Sequence, residues 1–297
     1  MIGPAEGLSA DTIQVLLRHA TVRLSRAGLC SARLDAEILL AHTVGVGRED
    51  LIAHPEIRLD RGKRSFYLES VKRRERREPV AYITGRREFW SLELKVDRRV
   101  LIPRPETETL VSESLRRLAP LGRGRSARVM DLGTGSGNIA LALASERADL
   151  FVVATDLSLD ALRVARENAQ RLGLSGRVVF LGADWLQALR PDESFDAVVS
   201  NPPYIREADW EALDRQTLSY EPHVALIAGW DGLGAYRTLV KDAPRVLRPG
   251  GWLVMEIGMD QAPEVRGLLE DCGAYDGIEI IQDLAGRVRV AAAERRR

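Results

Sequence analysis

An α/β fold with a mostly parallel, seven-stranded sheet, preceded by a small helical domain, is predicted by two observations. Amphipathic helical periods fill the first 78 residues, and strand-like apolar runs alternate with helical patterns through the rest of the chain. Such alternation calls for parallel strands joined by covering helices, because a parallel neighbour needs a crossover long enough to bring the chain back to the same edge. The strand segments are Arg128 to Leu132, Leu150 to Thr155, Arg177 to Leu181, Phe195 to Ser200, Trp252 to Ile257, Ile278 to Ile281 and Val288 to Ala293. In sheets of this kind ligands sit beyond the carboxyl ends of the strands.

In the helical part, Ser9 is the expected N-cap of a helix that repeats Ile13, Leu16, Leu17, Ala20 and Leu24 until Gly28. A second helix runs from Ser31 through Leu34, Ile38 and Ala41 toward Gly45, and a third from Asp60 to Glu78 sets Phe66, Tyr67 and Val71 on one side. From Pro79 to Pro105 apolar and polar residues partly alternate, the texture of a hairpin or extended linker. Glu106 to Leu118 then reads as a helix with an acidic first turn, which suits the positive end of its dipole. The expected division is a helical domain over 1–78, a hairpin or linker over 79–105 and an α/β domain over 106–297.

With 45% hydrophobic and 29% charged residues in 297, the chain has the composition of a folded, soluble protein. Its formal charge is zero, so no whole-molecule field draws it to nucleic acid or anionic lipid. One local exception is the run Arg61 to Arg77, with eight basic residues against two acidic ones. It reads either as a surface for a nucleic acid or acidic partner or as the solvated face of a helix. Cys30 and Cys272 are too isolated for a disulfide framework or zinc site and are expected to be reduced, partly buried thiols, and no metal is expected. Neither a signal-like N-terminus nor a long apolar span is present, so the expected location is the cytoplasm.

The first strand of the sheet runs into Asp131-Leu132-Gly133-Thr134-Gly135-Ser136-Gly137-Asn138, and a helix follows at once. The three glycines let the backbone turn sharply and let a nucleotide-like ligand approach without a Cβ in the way. Gly135, Gly137 and Ala140 also fit a dinucleotide fingerprint, so an NAD-dependent oxidoreductase has to be weighed. Asp131 favours S-adenosylmethionine, whose amino end is cationic, over a pyrophosphate. Asp156, 19 residues after Gly137, is placed for a ribose diol in either reading, and Asp184-Trp185 offers a carboxylate and a ring for adenine.

Asn201-Pro202-Pro203-Tyr204 follows the fourth strand directly. A planar amide or arylamine nitrogen is a poor nucleophile because its lone pair is delocalised. The Asn201 side-chain oxygen and the Pro202 carbonyl, on a backbone stiffened by proline, would accept one N–H each and turn that lone pair toward a methyl donor. Tyr204 would add an aromatic face for the planar group and for the sulfonium. The expected chemistry is an in-line methyl transfer that releases S-adenosylhomocysteine and rests on positioning. His19, His42, His54 and His223 are scattered and read as surface or structural residues.

With both motifs in hand, nearly the whole chain resembles the release-factor glutamine methyltransferases. The resemblance extends to Pro79-Val-Ala-Tyr82-Ile83-Thr-Gly85 with Glu88-Phe89, to Val100-Leu-Ile-Pro103-Arg104-Pro105-Glu106-Thr107-Glu108, to Tyr220-Glu221-Pro222 with Ala225-Leu226, and to Glu256-Ile257-Gly258. The run from Leu101 to Glu108 is its most specific part, and Asn138 stands where a small apolar residue is usual. The resemblance implies a Rossmann-like class I methyltransferase domain and N5-methylation of the glutamine in the Gly-Gly-Gln loop of peptide-chain release factors. It also implies a helical N-terminal domain that holds the protein substrate, and a monomer. By the resemblance the cofactor site maps onto Gly133 to Gly137, Asp156, Trp185 and Asn201, with the acceptor glutamine held by Asn201 to Tyr204. The alternatives are an adenine-N6 methyltransferase acting on a flipped base, a ribosomal-protein glutamine methyltransferase, the oxidoreductase above, and a module that binds S-adenosylmethionine without turnover.

Overall fold

The computed structural model describes residues 11–121, 126–187 and 194–297, so the expected cap Ser9 lies outside the described residues. The chain forms two compact units, one of Met1–Gly85 with Arg215–Tyr220 and the other of Arg86–Asp214 with Glu221–Arg297.

The first unit contains α1 (Ile13–Arg26), α2 (Ala32–Val44), α3 (Arg48–Ala53), α4 (Arg61–Glu75) and α5 (Val80–Thr84), joined later in the chain by α9 (Arg215–Tyr220). The five apolar residues read onto one face of α1 are all buried, against Leu39 and Leu40 of α2 and Tyr67 and Val71 of α4. Gly45 ends α2 in the left-handed region at φ +85°, where glycine carries no Cβ penalty. Two residues depart from the expected faces: Phe66 is 51% exposed and Leu34 is 42% exposed. Phe66 sits about 100° around the helix from its neighbour Tyr67, at the edge of the face that buries Tyr67, Ser70, Val71 and Arg74.

The basic run is largely spent inside this unit. Arg74 donates to buried Asp35 at 2.7 Å and to Gln216 of α9 at 2.7 Å. Arg73 pairs with Glu78, Arg64 with Asp11 and Lys72 with Glu69, while Lys63 and Arg77 donate to the carbonyls of Val44 and Ala27. Buried Tyr67 donates its hydroxyl to the Ala36 carbonyl at 3.2 Å. Tyr67→Phe removes this bond while the Ala36 carbonyl keeps its place in the α2 backbone ladder, and is expected to lower unfolding free energy by about 0.5–1.5 kcal/mol. Urea denaturation checks this, and an unchanged midpoint would remove the bond from the account.

The second unit opens with a hairpin, β1 (Arg86–Phe89) and β2 (Leu92–Lys95), followed by α6 (Glu108–Leu118). It continues as β3 (Ala127–Leu132), α7 (Asn138–Glu146), β4 (Leu150–Asp156), α8 (Leu159–Arg171), β5 (Val178–Gly182) and β6 (Phe195–Ser200), and closes with α10 (Gly234–Asp242), β7 (Leu247–Glu256), α11 (Ala262–Cys272), β8 (Tyr275–Gln282) and β9 (Val288–Arg295). Seven strands form one sheet in the order β5-β4-β3-β6-β7-β9-β8, parallel except that β9 runs antiparallel to both β7 and β8. Side chains alternate between the faces. Val129, Val152, Ala197 and Val254 pack toward α6, α7 and α8, and Met130, Val153, Val198 and Leu253 toward α10 and α11.

Several boundaries differ from those read in the sequence. Residues 79–105 do not form one piece, since Tyr82 and Ile83 lie in the short helix α5 of the first unit and the hairpin belongs to the second. Trp90 and Ser91 both turn at positive φ, 53° and 58°. Asn-Gly is the usual choice for such a turn; here the Trp90 backbone N–H and indole N–H are held by Glu108 and Glu146. Strand β7 begins at Leu247, not Trp252, because the Pro249-Gly250-Gly251 run is absorbed as a bulge between Phe195 and Ala197 of β6. The helix expected from Glu106 starts at Glu108 after a 3-10 turn over Pro105–Thr107. Both cysteines are exposed free thiols rather than partly buried ones.

Candidate active site

Strand order places β3 between β4 and β6, so the chain leaves β3 toward one side of the sheet and later returns on the other. A crevice opens where the winding reverses. Leu132 of β3 pairs with Ser200 of β6, and β4 ends beside them at Asp156. Gly133, Asp156 and Asn201 therefore emerge together, and all three line one cavity with Gly135, Asp184, Trp185 and Pro203. Leu101, Pro222, Val224 and Ala225 give it an apolar wall.

The glycine turn divides its labour. Gly135, at φ +56°, has open space where a Cβ would stand, and its N–H donates to Asp156 Oδ2 at 2.8 Å. Asp156 Oδ1 accepts from the Ser158 N–H at 2.8 Å. Burial raises the Asp156 pKa, opposed by these two bonds. Gly137, at φ +84°, is packed instead: a Cβ would lie 3.1 Å from Leu141 and 3.2 Å from Ala165.

Asp131, Thr134, Ser136 and Gly137, all read as cofactor-binding, do not line the cavity. Asp131 is completely buried beneath the turn, where its Oδ2 accepts from the Thr134 hydroxyl at 2.6 Å and the Ala140 N–H at 3.2 Å. Ser136 gives its carbonyl to Asn168 at 2.9 Å. These residues shape the backbone that faces the cavity. Burial pushes the Asp131 carboxyl up to about 7 against the pull of Thr134 and Ala140, with the charge of Asp156 pushing the same way as burial, and Oδ1 has no partner.

Because the folded state holds this proton up to about pH 7 and the unfolded chain releases it near 4, the native state binds more protons between those values and loses stability as pH rises through them. Asp131→Asn is therefore expected to flatten the fall in unfolding free energy between about pH 4 and 7. Denaturation midpoints of wild type and variant across that range check it; two curves that run parallel through the window would contradict it.

Trp185 adopts φ +51°. Left-handed backbone at a bulky residue costs roughly 1–3 kcal/mol and collects at ligand sites. Its ring lies 3.9 Å from where a Gly133 Cβ would be. Asp184 beside it is exposed and accepts from Gln187 at 2.9 Å.

At the tip of β6, the Asn201 Nδ2 donates to Thr107 Oγ1 at 3.2 Å. Pro202 is buried, and Pro203 faces the cavity. Tyr204 is half-buried against the α10 and α11 side of the sheet, and its carbonyl accepts from Gln261 at 3.0 Å. Burial, with Glu256 nearby, pushes its phenol up to about 12, so it is neutral at physiological pH and no base. His19, His42, His54 and His223 all lie outside the cavity lining.

Three contributors carry no role in the sequence reading. Glu221 accepts from the Ile102 N–H at 3.2 Å and from Arg104 at 2.6 Å, which fixes the segment leading to the wall residues Val100 and Leu101. The Thr107 hydroxyl accepts from Asn201, and Thr107 and Glu256 are both buried. Glu256 ends a parallel strand, so the carboxyl-end rule alone points to it.

A glycine turn and an acidic strand end facing an Asn-Pro-Pro tip across one cavity, on a sheet of this order, define a methyltransferase, and residues 124–278 match the family described as "Methyltransferase domain". Residues 15–85 match the "PrmC N-terminal domain". The chain is 47% identical over 275 residues to the release factor glutamine methyltransferase of Xylella fastidiosa strain 9a5c, covering 93% of this chain and 95% of that protein. To the enzyme of the same name from Nitratidesulfovibrio vulgaris it is 40% identical over 288 residues, covering 97% and 96%. The chain belongs to the release factor glutamine methyltransferase family. The hMettl16 catalytic domain, solved with a MAT2A 3′UTR hairpin, shares the fold alone, at a TM-score of 0.54 and 15% identity over 79% of this chain and 82% of that one. Among the described residues no helix is long and apolar enough to cross a membrane.

Proposed function

We propose that the chain methylates N5 of the glutamine in the Gly-Gly-Gln loop of peptide-chain release factors, with S-adenosylmethionine as donor. The observation that carries this reading is the Leu132–Ser200 pairing, which sets the glycine turn and Asn201 into one cavity. The names of the relatives supply the acceptor, and the helical first unit is the candidate holder of the protein substrate.

The residues fit the donor. The open space over Gly135 admits a ligand against bare backbone, and Asp156 keeps acceptor capacity for a ribose diol beyond its two backbone bonds. Asp184 and Trp185 serve the adenine, and Asp131 stiffens the turn from below. When bound, S-adenosylmethionine supplies a methyl carbon made electrophilic by its sulfonium.

The chain's own part is to orient the acceptor. Asn201 Oδ1 and the Pro202 carbonyl each take one N–H of the substrate amide, which aims the nitrogen lone pair, while Tyr204 packs against the amide plane as a neutral ring. Holding the nitrogen in line takes the place of a general base before transfer, and as the N–C bond forms and the C–S bond breaks to release S-adenosylhomocysteine the surplus N–H proton passes to water.

The test is transfer of labelled methyl from S-adenosylmethionine to a purified release factor, to the same factor with its loop glutamine replaced, to ribosomal protein, and to duplex DNA. Label on the intact factor alone is expected. Label on the glutamine-less factor or on DNA would overturn the reading.

A further inference from the structure

We infer that Asn168 clamps the glycine turn to the cavity wall at residues 99–101, and so acts as a positioning residue that preforms the donor pocket. The inference rests on the reading of this cavity as the seat of S-adenosylmethionine. Gly135 lines one part of the cavity, and Arg99, Val100 and Leu101 line another. Neither segment lies inside a strand or helix, so their spacing depends in part on side chains from other elements.

Helix α8 supplies such a side chain. Ala161, Ala165 and Asn168 follow one another at steps of four and three, on one stripe of the helix. Ala161 lines the cavity, and Ala165 lies 3.2 Å from where a Gly137 Cβ would stand, so the stripe faces the glycine turn. The other buried residues of α8 are alanine, leucine and valine; Asn168, 1% exposed, is the one amide among them. Its Nδ2 donates to the Ser136 carbonyl at 2.9 Å and to the Lys95 carbonyl at 3.0 Å, and its Oδ1 accepts from the Lys95 N–H at 2.7 Å. All three partners are backbone groups of fixed polarity. A carbonyl only accepts and an N–H only donates, so the amide has one orientation. One buried side chain thus ties Ser136, next to Gly135, to Lys95, four residues before the wall begins at Arg99.

The stretch from Lys95 to the wall is short and braced. Val96 is buried, the Val100 N–H donates to the Asp97 carbonyl at 3.1 Å, and Asp97 pairs with Arg99 at 2.6 Å. Displacement of Lys95 is therefore passed to the wall. A satisfied amide in a dry site rigidifies what it joins, and a pocket already in shape loses no binding free energy to ordering its walls. Asn201 to Tyr204 leave a different strand end, that of β6, and Asn168 hydrogen-bonds none of them. Loss of the clamp therefore reaches donor affinity and leaves the orientation of the acceptor alone.

Three variants of the whole chain test this. Asn168→Ala removes the clamp. Asn168→Asp keeps its shape and the acceptor for Lys95 but sets an oxygen against the Ser136 and Lys95 carbonyls. Tyr275→Phe is a control that removes a buried bond, to the Val240 carbonyl at 2.9 Å, on the α10 and α11 side of the sheet. Both Asn168 variants are expected to weaken S-adenosylhomocysteine binding and raise the donor KM by about 10-fold or more, with kcat at saturating donor and the release-factor KM within about threefold of wild type. Tyr275→Phe loses stability and keeps its donor affinity. In ¹⁵N-labelled Asn168→Ala the backbone amides of Gly135 and Val100 lose protection from exchange, while those of Val198 and Val254 in the sheet keep theirs. The clamp is overturned if a folded Asn168 variant binds S-adenosylhomocysteine within about threefold of wild type, if kcat falls while the donor KM holds, if Tyr275→Phe weakens binding as much, or if protection is lost evenly across all four amides. Should neither Asn168 variant fold, the wild type decides: by reciprocity, saturating S-adenosylhomocysteine slows exchange of the Asn168 side-chain NH₂ by about 10-fold, and exchange indifferent to the ligand overturns the clamp. If wild type binds no S-adenosylhomocysteine, the proposed donor falls while the exchange pattern at Gly135 and Val100 still decides the clamp.

Discussion

Asn201→Ala is expected to lower kcat for glutamine methylation by about 10²–10³-fold, the scale seen when one positioned polar group is removed from a developing charge. The amide nitrogen of glutamine shares its lone pair with the carbonyl, so its reactivity depends on being held out of that plane. On the proposed reading alanine removes the oxygen that would accept one of its protons, and it also removes the Nδ2 that donates to Thr107. The backbone of β6 ends at Ser200, whose hydroxyl donates to the Leu132 carbonyl at 2.8 Å independently of Asn201. The fold therefore tolerates the change, and the unfolding midpoint is expected to move little. Single-turnover rates at saturating donor and acceptor measure the loss; a variant within threefold of wild type would remove Asn201 from the reaction.

Gly135→Val is expected to weaken S-adenosylhomocysteine binding by more than about 100-fold, while the folded state loses only about 1–2 kcal/mol for a left-handed β-branched residue. Nothing lies within 4 Å of the site of its Cβ, and Gly135 lines the cavity, so the added side chain meets no protein and occupies ligand space. Gly137→Val, two residues on, inverts the outcome. Its side chain would drive into Leu141 and Ala165, so stability falls first and binding only as a consequence. Calorimetric titration and denaturation of the two variants separate the cases; full affinity in Gly135→Val would show that the ligand does not cross the glycine turn.

Much of this was legible in the chain itself. The seven strand segments appear because parallel strands covered on both faces carry dense apolar runs, as in Val129, Val152, Ala197 and Leu253, and these are hard to mistake. The strand ends then pointed to Asp156, Asp184, Trp185 and Asn201, all of which line the cavity. Legibility failed where tertiary contacts overrode local signal. Pro249-Gly250-Gly251 reads as a loop but is carried as a bulge in β7, and Trp90-Ser91 lacks turn residues yet turns because Glu108 and Glu146 hold Trp90. The placement of Asp131 is illegible for a related reason. Position beside the glycines suggested ligand contact, but only coordinates show its side chain directed under the turn toward Thr134 and Ala140. Thr107 and Glu221 act on the site from behind other side chains or backbone, across 94 and 119 residues of sequence, and spacing cannot reveal such pairs.

The central claim is geometric: Asn201 turns its Oδ1 toward an acceptor nitrogen that stands beside the glycine turn. A crystal structure of the protein with S-adenosylhomocysteine and a release factor, or a peptide carrying its Gly-Gly-Gln loop, measures this directly. The glutamine Nε2 is predicted within about 3.2 Å of Asn201 Oδ1, with the Asn201 Nδ2 still on Thr107 and the thioether over Gly133 to Gly135. A glutamine side chain seated away from Asn201, or an Asn201 amide rotated to aim its NH₂ at the substrate, would contradict the account.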